Sequence, residues 1–328
     1  MTARRKLLQT LCTGVLFAAL PAFAQRSGHV WRIGYFSGGS SEADATWLAA
    51  FRLGMAELGW AEGRDYTIDA RYANGVAKAM AGLAADLLAS QPNLLLTTGD
   101  GAIRVLVQST KTLPIVFGIS QDPVGSRFAE QLRRPGGNTT GLTTLAPDLT
   151  PKRLQLLKEA FPSIAHIVLL FEPDNVGSVT QMQEVKEAAP RLGLRVTPMS
   201  LREPADIEVA FKQGAALGAQ AYLVSAGLFT NTHLQAIADL ATRLKAPSMG
   251  AMTAYAHRGG LMSYAPSYED NFRRTAAYVD KIFKGANPGD LAIERPTRFE
   301  FVLNQKTAKA MGFLFPQSIL LRAERVIE

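Results

Sequence analysis

The sequence predicts an α/β fold in which two similar lobes are each built on a parallel β-sheet. Apolar runs that suit buried strands alternate with patterns of helical period, which is typical of a parallel sheet with helices on both faces. This alternation runs through the first part of the chain, changes to a loop at residues 143–150 and then starts again. The length of 328 residues also suits two domains, since a domain commonly has about 150 residues.

Residues 1–24 have the pattern of an export signal that is removed from the mature chain. A basic start at residues 4–6 precedes an apolar stretch at residues 11–20, which is shorter than the roughly 20 residues of a membrane-spanning helix. Cys12 is the only cysteine and lies inside this segment, without the small residues before it that a lipoprotein signal requires. We therefore expect a free, soluble mature protein that begins at Gln25 and has no disulfides. The paired arginines also permit export by the twin-arginine route.

The charge of the chain does not indicate a nucleic-acid partner. The net charge is +7, and the predicted signal contributes three basic and no acidic residues to it. The pairs Arg133-Arg134 and Arg273-Arg274 are isolated, and no aromatic residues are interleaved with them. We expect these side chains to form ordinary solvated surface.

Strand–helix units account for the first half of the chain. Strands are predicted at residues 31–36, 66–72, 93–99 and 114–119. A helical pattern follows each of them, and the last of these predicted helices covers residues 126–132. Right-handed crossovers then join the strands into one parallel sheet.

The second run of the same unit begins with a helix, for which Thr150 suits the N-cap and Pro151 the first helical position. Two successive runs favour two similar lobes over a single large sheet. The predicted strands of this run are residues 166–171, 194–200, 221–227 and 247–249, and its helices are residues 176–192, 205–217 and 232–244.

The last part of the chain is less regular. It has a predicted strand at residues 260–266, a long helix at 268–283, a strand at 298–304 and an amphipathic end that suits a helix over 318–328. Because these elements follow a second run that is already complete, we expect the chain to cross between the lobes several times and to form a hinge.

Five polar loops follow the predicted strands. In parallel α/β lobes such loops emerge at the same edge of the sheet, where ligands bind. Two facing lobes would enclose a cleft in which helix N-termini favour an anion and Asp122 or Asp174 accepts an ammonium group. The alternative is that these side chains only cap helices. The loops are residues 37–41, 98–101, 120–122, 172–178 and 225–227.

The sequence does not match the signatures of hydrolases, of dinucleotide-binding enzymes or of metal sites. Asp122 stands where a nucleophile elbow starting at Gly118 needs its second glycine. Gly99 and Gly101 begin like a dinucleotide fingerprint, but Arg104 occupies the position of the third glycine. We therefore expect no catalytic residue, no metal and no cofactor. The histidines, which show no metal-ligand spacing, are His29, His166, His233 and His257.

Trp47 lies on the same helical face as Phe51 and Met55. Packing in the core is the favoured interpretation of this face. Stacking of Trp47 on a ligand is the alternative.

Several segments together resemble the substrate-binding proteins of ABC importers, in the family related to tryptophan- and tyrosine-type binding proteins. The segments include RIGYFSGGS near the start, PIVFGISQDPVGSRFAEQLRRPGGNTTGLT in the middle and GGLMSYAPSYEDNFRRTAAYVDKIF towards the end. DPVGS followed by RPGGNTTGLT is the most specific pair. The resemblance implies a type I periplasmic binding fold: two Rossmann-like lobes, three crossovers and a ligand between the lobes.

The resemblance also implies the division of the chain and its partners. The N-terminal lobe is expected to contain residues 28–145 and 252–292, and the C-terminal lobe residues 146–251 and 293–328. A protein of this kind is not an enzyme. It is a periplasmic monomer that delivers a small-molecule ligand to an ABC permease and ATPase, and it binds no nucleic acid.

The resemblance carries over a set of ligand-binding residues. Tyr264 belongs to a strand that returns between the lobes, where packing at the hinge is the alternative role. Many relatives have an aspartate where this chain has Ala226, and its absence argues against an amino-acid ligand and leaves an aromatic or other carboxylate open. The predicted ligand-binding residues are Ser37, Gly38, Ser40, Thr98, Gly99, Asp100, Asp122, Asn175, Ser178, Ser225 and Tyr264.

Two other functions remain as alternatives. One is a ligand-sensing binding protein for a membrane receptor, which would use the same fold. The other is a nucleotide-dependent enzyme on a Rossmann-like fold. The export signal, the broken glycine fingerprint and the lack of a base–nucleophile pair argue against the enzyme.

Overall fold

The computed structural model describes residues 30–144 and 149–328. The predicted export signal, including Cys12, and the histidine at position 29 lie outside the described residues. Within the described ranges, no helix has both the length and the apolar character needed to cross a membrane.

The first lobe contains a five-stranded parallel sheet in the order β2-β1-β3-β4-β5. Strands β3 and β4 are buried along their whole length, which explains their continuous apolar sequences. The strands are β1 (Trp31–Ser37), β2 (Tyr66–Tyr72), β3 (Leu94–Thr98), β4 (Ile115–Ile119) and β5 (Thr139–Gly141). The helices between them are α1 (Ser41–Glu57), α2 (Met80–Ala89) and α3 (Asp100–Ser109).

The second lobe contains a seven-stranded sheet in the order β12-β11-β10-β9-β8-β6-β7. Its strands are β6 (His166–Phe171), β7 (Arg195–Ser200), β8 (Ala221–Val224), β9 (Ser248–Gly250), β10 (Met262–Pro266), β11 (Phe299–Asn304) and β12 (Arg325–Ile327). Its helices up to β10 are α4 (Leu149–Ala160), α5 (Val176–Ala188), α6 (Pro204–Ala216), α7 (Leu228–Thr232), α8 (Leu234–Arg243) and α9 (Ala254–His257).

The two sheets share one topology. The order β7-β6-β8-β9-β10 repeats the order β2-β1-β3-β4-β5, and every pair within these two sets is parallel. Only β11 breaks the pattern, because it runs antiparallel to β10. The prediction of two similar α/β lobes with parallel sheets is therefore confirmed.

Alternate residues of the central strands enter different cores. In β6, Ile167 and Leu169 pack in one apolar cluster, and Val168 and Leu170 pack in another. The same division separates Leu94 and Leu96 from Leu95 in β3. Each lobe thus has a core on both faces of its sheet, and the polar ends of the strands are left to form a site.

The chain crosses between the lobes three times. It leaves the first lobe after β5, returns from β10 to α10 (Tyr268–Phe283), and leaves again before β11. Helix α10 packs against α1 and β4 of the first lobe. Backbone hydrogen bonds hold the crossing segments together, from Thr143 N to Glu294 O (2.9 Å) and from Ser267 N to Arg298 O (3.0 Å). The expected hinge therefore consists of adjacent chain segments.

The predicted division between the lobes needs one correction. Residues 252–292 were expected in the N-terminal lobe, but β10 lies in that range and pairs with β9 and β11 of the second sheet. The second lobe therefore extends to Pro266, and the return to the first lobe begins at Ser267. The pairing decides this because β10 completes the second sheet at the position that β5 holds in the first.

Two predicted helices are also wrong. Residues 126–132 form turns, in which the carbonyl of Pro123 accepts from Phe128 N (2.8 Å) and Ala129 N (3.1 Å). At the C-terminal end only α12 (Gln317–Leu320) is helical, after α11 (Gln305–Met311), and the chain then forms β12. This strand pairs with the outer edge of β11, so sheet pairing overrides the helical period.

Candidate functional site

The loops at the carboxyl ends of the two sheets face each other and enclose a cleft with two adjacent compartments. The first, the aromatic compartment, contains Trp47 and Tyr268. Its space, counted together with the open solvent at its mouth, is about 680 Å³. The second, the arginine compartment, contains Arg153 and is smaller, with about 430 Å³ of space that includes open solvent. Gln121, Ala226 and Tyr268 line both compartments.

The structure brings six of the predicted ligand-binding residues to the aromatic compartment. They come from the loops after β1 and β3 in the first lobe and from the loop after β6 in the second. Ligand contact by these residues stays a prediction. The six are Ser37, Gly38, Thr98, Gly99, Asp100 and Asn175.

The other five predicted residues line neither compartment. Ser40 caps α1 by accepting from Ala43 N at 3.2 Å, and Asp122 Oδ1 accepts from Gly125 N at 2.8 Å within its own loop. Ser40 therefore follows the capping alternative, whereas Asp122 is used within a loop that no helix follows.

The remaining three residues are engaged inside the second lobe. The buried hydroxyls of Ser178 and Ser225 hydrogen-bond each other at 2.8 Å. The ring of Tyr264 packs on Phe299 and Phe301, at 6.1 and 6.3 Å between ring centroids. They therefore support the walls of the site and do not reach its interior.

Trp47 and Tyr268 form the aromatic wall of the first compartment. Their rings meet edge to face at 5.7 Å, and Trp47 also stacks on Phe272 at 5.7 Å. Trp47 thus has the core contacts that its helical face indicates and is also exposed to the cleft. Burial raises the pKa of Tyr268 to about 12, so its phenol remains a neutral hydrogen-bond donor.

Asp100 begins α3 and is only 7 % exposed. Its Oδ1 accepts from Ser120 Oγ at 2.7 Å and from Gln121 N at 3.1 Å. Among the described residues, its buried Oδ2 has no hydrogen-bond partner. Burial raises the pKa of this carboxyl, and the nearby charge of Asp122 raises it further. Burying a carboxylate oxygen without a hydrogen-bond partner costs free energy. A ligand group that donates a hydrogen bond to Asp100 Oδ2 would recover part of this cost.

Asp44 is the other aspartate that lines this compartment, and its situation differs. Its Oδ2 accepts from the hydroxyl of Tyr35 at 2.8 Å. Burial raises the pKa of the Asp44 carboxyl, while hydrogen bonds from Ser37 and Tyr35 oppose this rise. Asp44 is thus held by its own lobe and stabilises the floor of the site.

Direct contacts hold the two lobes together around the cleft. Gln121 Nε2 of the first lobe donates to Ala226 O of the second at 2.6 Å. Leu228 packs with the apolar cluster of the first lobe that includes Phe36. A Cβ atom built on Gly177 would lie 2.1 Å from Gln121 Oε1, so only a glycine fits there. The structure is therefore that of a closed pair of lobes.

The loop after β8, where the resemblance implies an aspartate, has a different carboxylate nearby. Glu172 Oε1 accepts from Thr230 N at 2.7 Å and from Thr230 Oγ1 at 2.9 Å. This carboxylate is used within the second lobe. Among the described residues that line the cleft, Asp100 of the first lobe has a buried carboxylate oxygen without a hydrogen-bond partner, so Ala226 does not leave the cleft without an acceptor.

The arginine compartment places charged groups of the second lobe next to the hinge. Arg153 on α4 is 3 % exposed, and its Nε donates to Tyr264 O at 2.7 Å. Glu184 on α5 accepts from Thr150 Oγ1 at 2.6 Å. Burial raises the pKa of Glu184, and the hydrogen bond from Thr150 and the charge of Arg153 lower it. Among the described residues, the lining of this compartment thus includes the cation Arg153 and the anion Glu184.

The histidines and acids of the described ranges form no group that resembles a metal site. His166 Nε2 lies 2.9 Å from Thr197 Oγ1, and its Nδ1 lies 2.9 Å from Arg195 Nη2. These contacts are structural.

Sequence reasoning missed Tyr268, Arg153 and Glu184 as residues of the site, whereas Gln121 lies in the predicted polar loop 120–122. One signal was present for Arg153. Its position on α4 falls between Leu149 and Leu157 on the buried face of an amphipathic helix, where a charged side chain is unusual.

Comparisons with known proteins agree with this architecture. The model of a family described as ABC transporter substrate binding protein matches residues 42–327. A tyrosine-binding protein of Clostridioides difficile is 20 % identical over 262 residues, which cover 80 % of this chain and 75 % of that protein.

Two solved structures are similar along most of the chain. A conserved domain protein from Vibrio cholerae has 26 % identity and a TM-score of 0.84, and the match covers 91 % of this chain and all of that one (100 %). An ABC domain from Streptococcus pneumoniae in complex with L-Trp has 25 % identity and a TM-score of 0.84, with the same coverage of 91 % and 100 %.

Proposed function

Because the chain belongs to the family of ABC transporter substrate-binding proteins, we propose that it captures a small organic ligand in the periplasm and delivers it to the permease and ATPase of an importer. The protein acts as a monomer and converts no substrate. The closed pair of lobes is the form that the permease recognises.

The cleft between the lobes is the observation that carries this proposal. Residues of both lobes line the aromatic compartment, so a ligand there touches both lobes only when they are closed. A ligand stabilises a conformation by its differential affinity for it, so binding favours closure. The three crossing segments provide the hinge about which the lobes move.

The lining favours an aromatic amino acid as the ligand. The rings of Trp47 and Tyr268 offer apolar faces and edges, and Asp100 Oδ2 offers an acceptor for an N–H or O–H donor. The similar pneumococcal structure contains L-Trp, and the similar clostridial protein is a tyrosine-binding protein. This assignment sets the argument from Ala226 aside, because the cleft contains other carboxylates, among them Asp100 and Glu184, that can accept from a ligand.

Native mass spectrometry of protein purified from the periplasm tests the proposal directly. We expect a mature chain that starts at Gln25 and carries a non-covalent small molecule. A thermal-shift screen of aromatic and aliphatic amino acids and aromatic carboxylates should then find compounds that raise Tm by about 5 °C at 100-fold excess over Kd. If no compound stabilised the protein and substrate turnover were seen, the proposal would be wrong.

Asp100→Asn should weaken the binding of L-tryptophan about 10-fold, because a charge-assisted hydrogen bond becomes a neutral one. Burial raises the pKa of Asp100 above its value in the unfolded chain, so its stabilising contribution is present at low pH and is lost as pH rises through the folded-state pKa. At neutral pH the unliganded variant should therefore be at least as stable as wild type.

Asp86→Asn is the matched control for this substitution, since Asp86 is an exposed aspartate of the same lobe and lines neither compartment. Isothermal titration calorimetry should give the control an affinity within about 2-fold of wild type, the scatter expected of a surface change. Affinity of the wild type should also fall as pH is lowered and Asp100 becomes protonated. Equal losses in the two variants would remove Asp100 from the ligand site.

A further inference from the structure

We propose that the arginine compartment is a subsite for the α-amino-carboxylate head of the ligand, in which Arg153 binds the carboxylate and Glu184 the ammonium group. This proposal rests on the proposed function and identifies the part of the cleft that binds the charged groups of the ligand.

Arg153 is a buried cation whose hydrogen-bonding capacity is only partly used. Its Nε donates to Tyr264 O at 2.7 Å and its Nη2 to Ala251 O at 3.4 Å, both of which are neutral carbonyls. In the described part of the chain, the hydrogen bonds of the guanidinium are these two, from Nε and Nη2 to neutral carbonyls, and it forms no ion pair with a carboxylate. Burial lowers the pKa of Arg153 to about 10, which leaves it charged at neutral pH.

Among the described residues, Glu184 acts on Arg153 through its charge but makes no direct ion pair with it, so the burial of the guanidinium is only partly compensated and an anion that reaches it recovers part of the cost. The guanidinium fork suits a carboxylate because it can donate two parallel hydrogen bonds. Since Arg153 lines the compartment, a carboxylate that enters the cleft can reach it without displacing an ion pair.

Glu184 makes the subsite specific for a zwitterion. It lines the same compartment and accepts one hydrogen bond, from Thr150 Oγ1. A plain carboxylate would be attracted by Arg153 and repelled by Glu184. An α-amino acid satisfies both charges at once, so the compartment discriminates by charge pattern.

The shared wall of the compartments orients the rest of the ligand. Gln121, Ala226 and Tyr268 border both spaces, so a head group beside Arg153 directs the side chain towards Trp47 and Asp100. In this orientation Asp100 Oδ2 accepts from a donor on the side chain, such as an indole N–H or a phenol O–H.

Three probes that share one ring system separate the charges of the head. L-tryptophan has both charges, tryptamine lacks the carboxylate and indole-3-propionate lacks the ammonium group. Isothermal titration calorimetry with the mature protein should rank L-tryptophan as the tightest of the three. Arg153→Met should weaken L-tryptophan about 50-fold and leave tryptamine unchanged, because only the carboxylate loses its partner. Glu184→Gln should weaken L-tryptophan and tryptamine and spare indole-3-propionate.

Two further variants keep the test decisive. Arg202→Met removes an exposed arginine whose partner Asp174 is also exposed, and it should bind all three probes like wild type. Arg153→Lys keeps the positive charge but lacks the two parallel N–H donors of the guanidinium. It replaces Arg153→Met in the test if that variant does not fold. It should lose affinity only for the two carboxylate probes.

The possible results distinguish this subsite from the proposed function. Equal weakening of L-tryptophan and tryptamine by Arg153→Met would mean that Arg153 only supports the hinge carbonyls, and unchanged L-tryptophan affinity would also overturn the subsite. In both cases wild type still binds. A wild-type protein that binds none of the probes would instead count against the proposed ligand class, and against the subsite with it.

Discussion

Gly177→Val is expected to abolish ligand capture while both lobes remain folded. Gly177 lies in the first turn of α5, and a Cβ atom there would come within 2.3 Å of Gln121 Cβ and 2.1 Å of Gln121 Oε1. Gln121 belongs to the opposite lobe. The clash therefore exists only when the lobes are closed, and an open molecule escapes it.

The expected loss of affinity follows from this difference between the two states. Overpacking of a well-packed contact costs about 1–3 kcal/mol, and the larger value reduces the population of the closed state more than 100-fold. Because the ligand needs the closed state, its apparent affinity falls by the same factor. We therefore expect calorimetry with L-tryptophan, or with whichever compound stabilises the wild type, to detect little or no binding.

Gly82→Val is the matched control, because Gly82 is also a helical glycine and a Cβ atom added there would meet no neighbouring side chain within 4 Å. It should bind ligand like wild type and be about as stable, because valine has a slightly better helix propensity than glycine and meets no clash there. A second substitution, Gln121→Gly, should restore part of the affinity of Gly177→Val by removing the opposing atoms. Wild-type affinity in Gly177→Val would show that the ligand does not require this closed arrangement.

Gly54→Val is expected to destabilise the first lobe by about 3 kcal/mol or more, since the clash involves backbone that cannot move aside. A Cβ atom on Gly54 would lie 2.3 Å from the carbonyl oxygen of Arg273 and 2.9 Å from Ala276 Cβ. Gly54 belongs to α1, and both opposing residues belong to α10. The glycine is therefore what allows these two helices to approach so closely.

Thermal unfolding measures this effect directly. A loss of about 3 kcal/mol should lower Tm by roughly 6–12 °C for a lobe of this size. Gly82→Val again serves as the control, with the same change of residue on an exposed helix. If the two variants melted within about 2 °C of each other, the close packing of α10 on the first lobe would be refuted.

Local sequence was sufficient for most strands and for their order in the chain. The apolar runs that became β3, β4 and β6 are buried on both faces, and polar residues at their ends mark the edge where parallel lobes bind ligands. This is why six predicted site residues line the aromatic compartment. Their positions depend on the strand that precedes each loop, and the strand was visible in the sequence.

The local sequence did not predict the structure where strand pairing or a hydrogen bond within a loop decided it. Residues 318–328 have a helical period, yet β12 forms there because the edge of β11 is available for pairing. Asp122 has the right chemistry for an ammonium ligand, yet it accepts from Gly125 N in its own loop. In both cases the choice depends on a partner that the local pattern does not reveal.

The sequence by itself determined the α/β class, the repetition of one unit in two lobes, the polar loops and the expectation of a hinge. Only the tertiary structure decided which side chains meet in the cleft. Gln121, Arg153 and Tyr268 are distant in sequence and lie on different elements, so their proximity results from the three crossings and from closure of the lobes. Hydrophobic period is a property of one segment, whereas a site between lobes depends on how segments from both lobes are brought together.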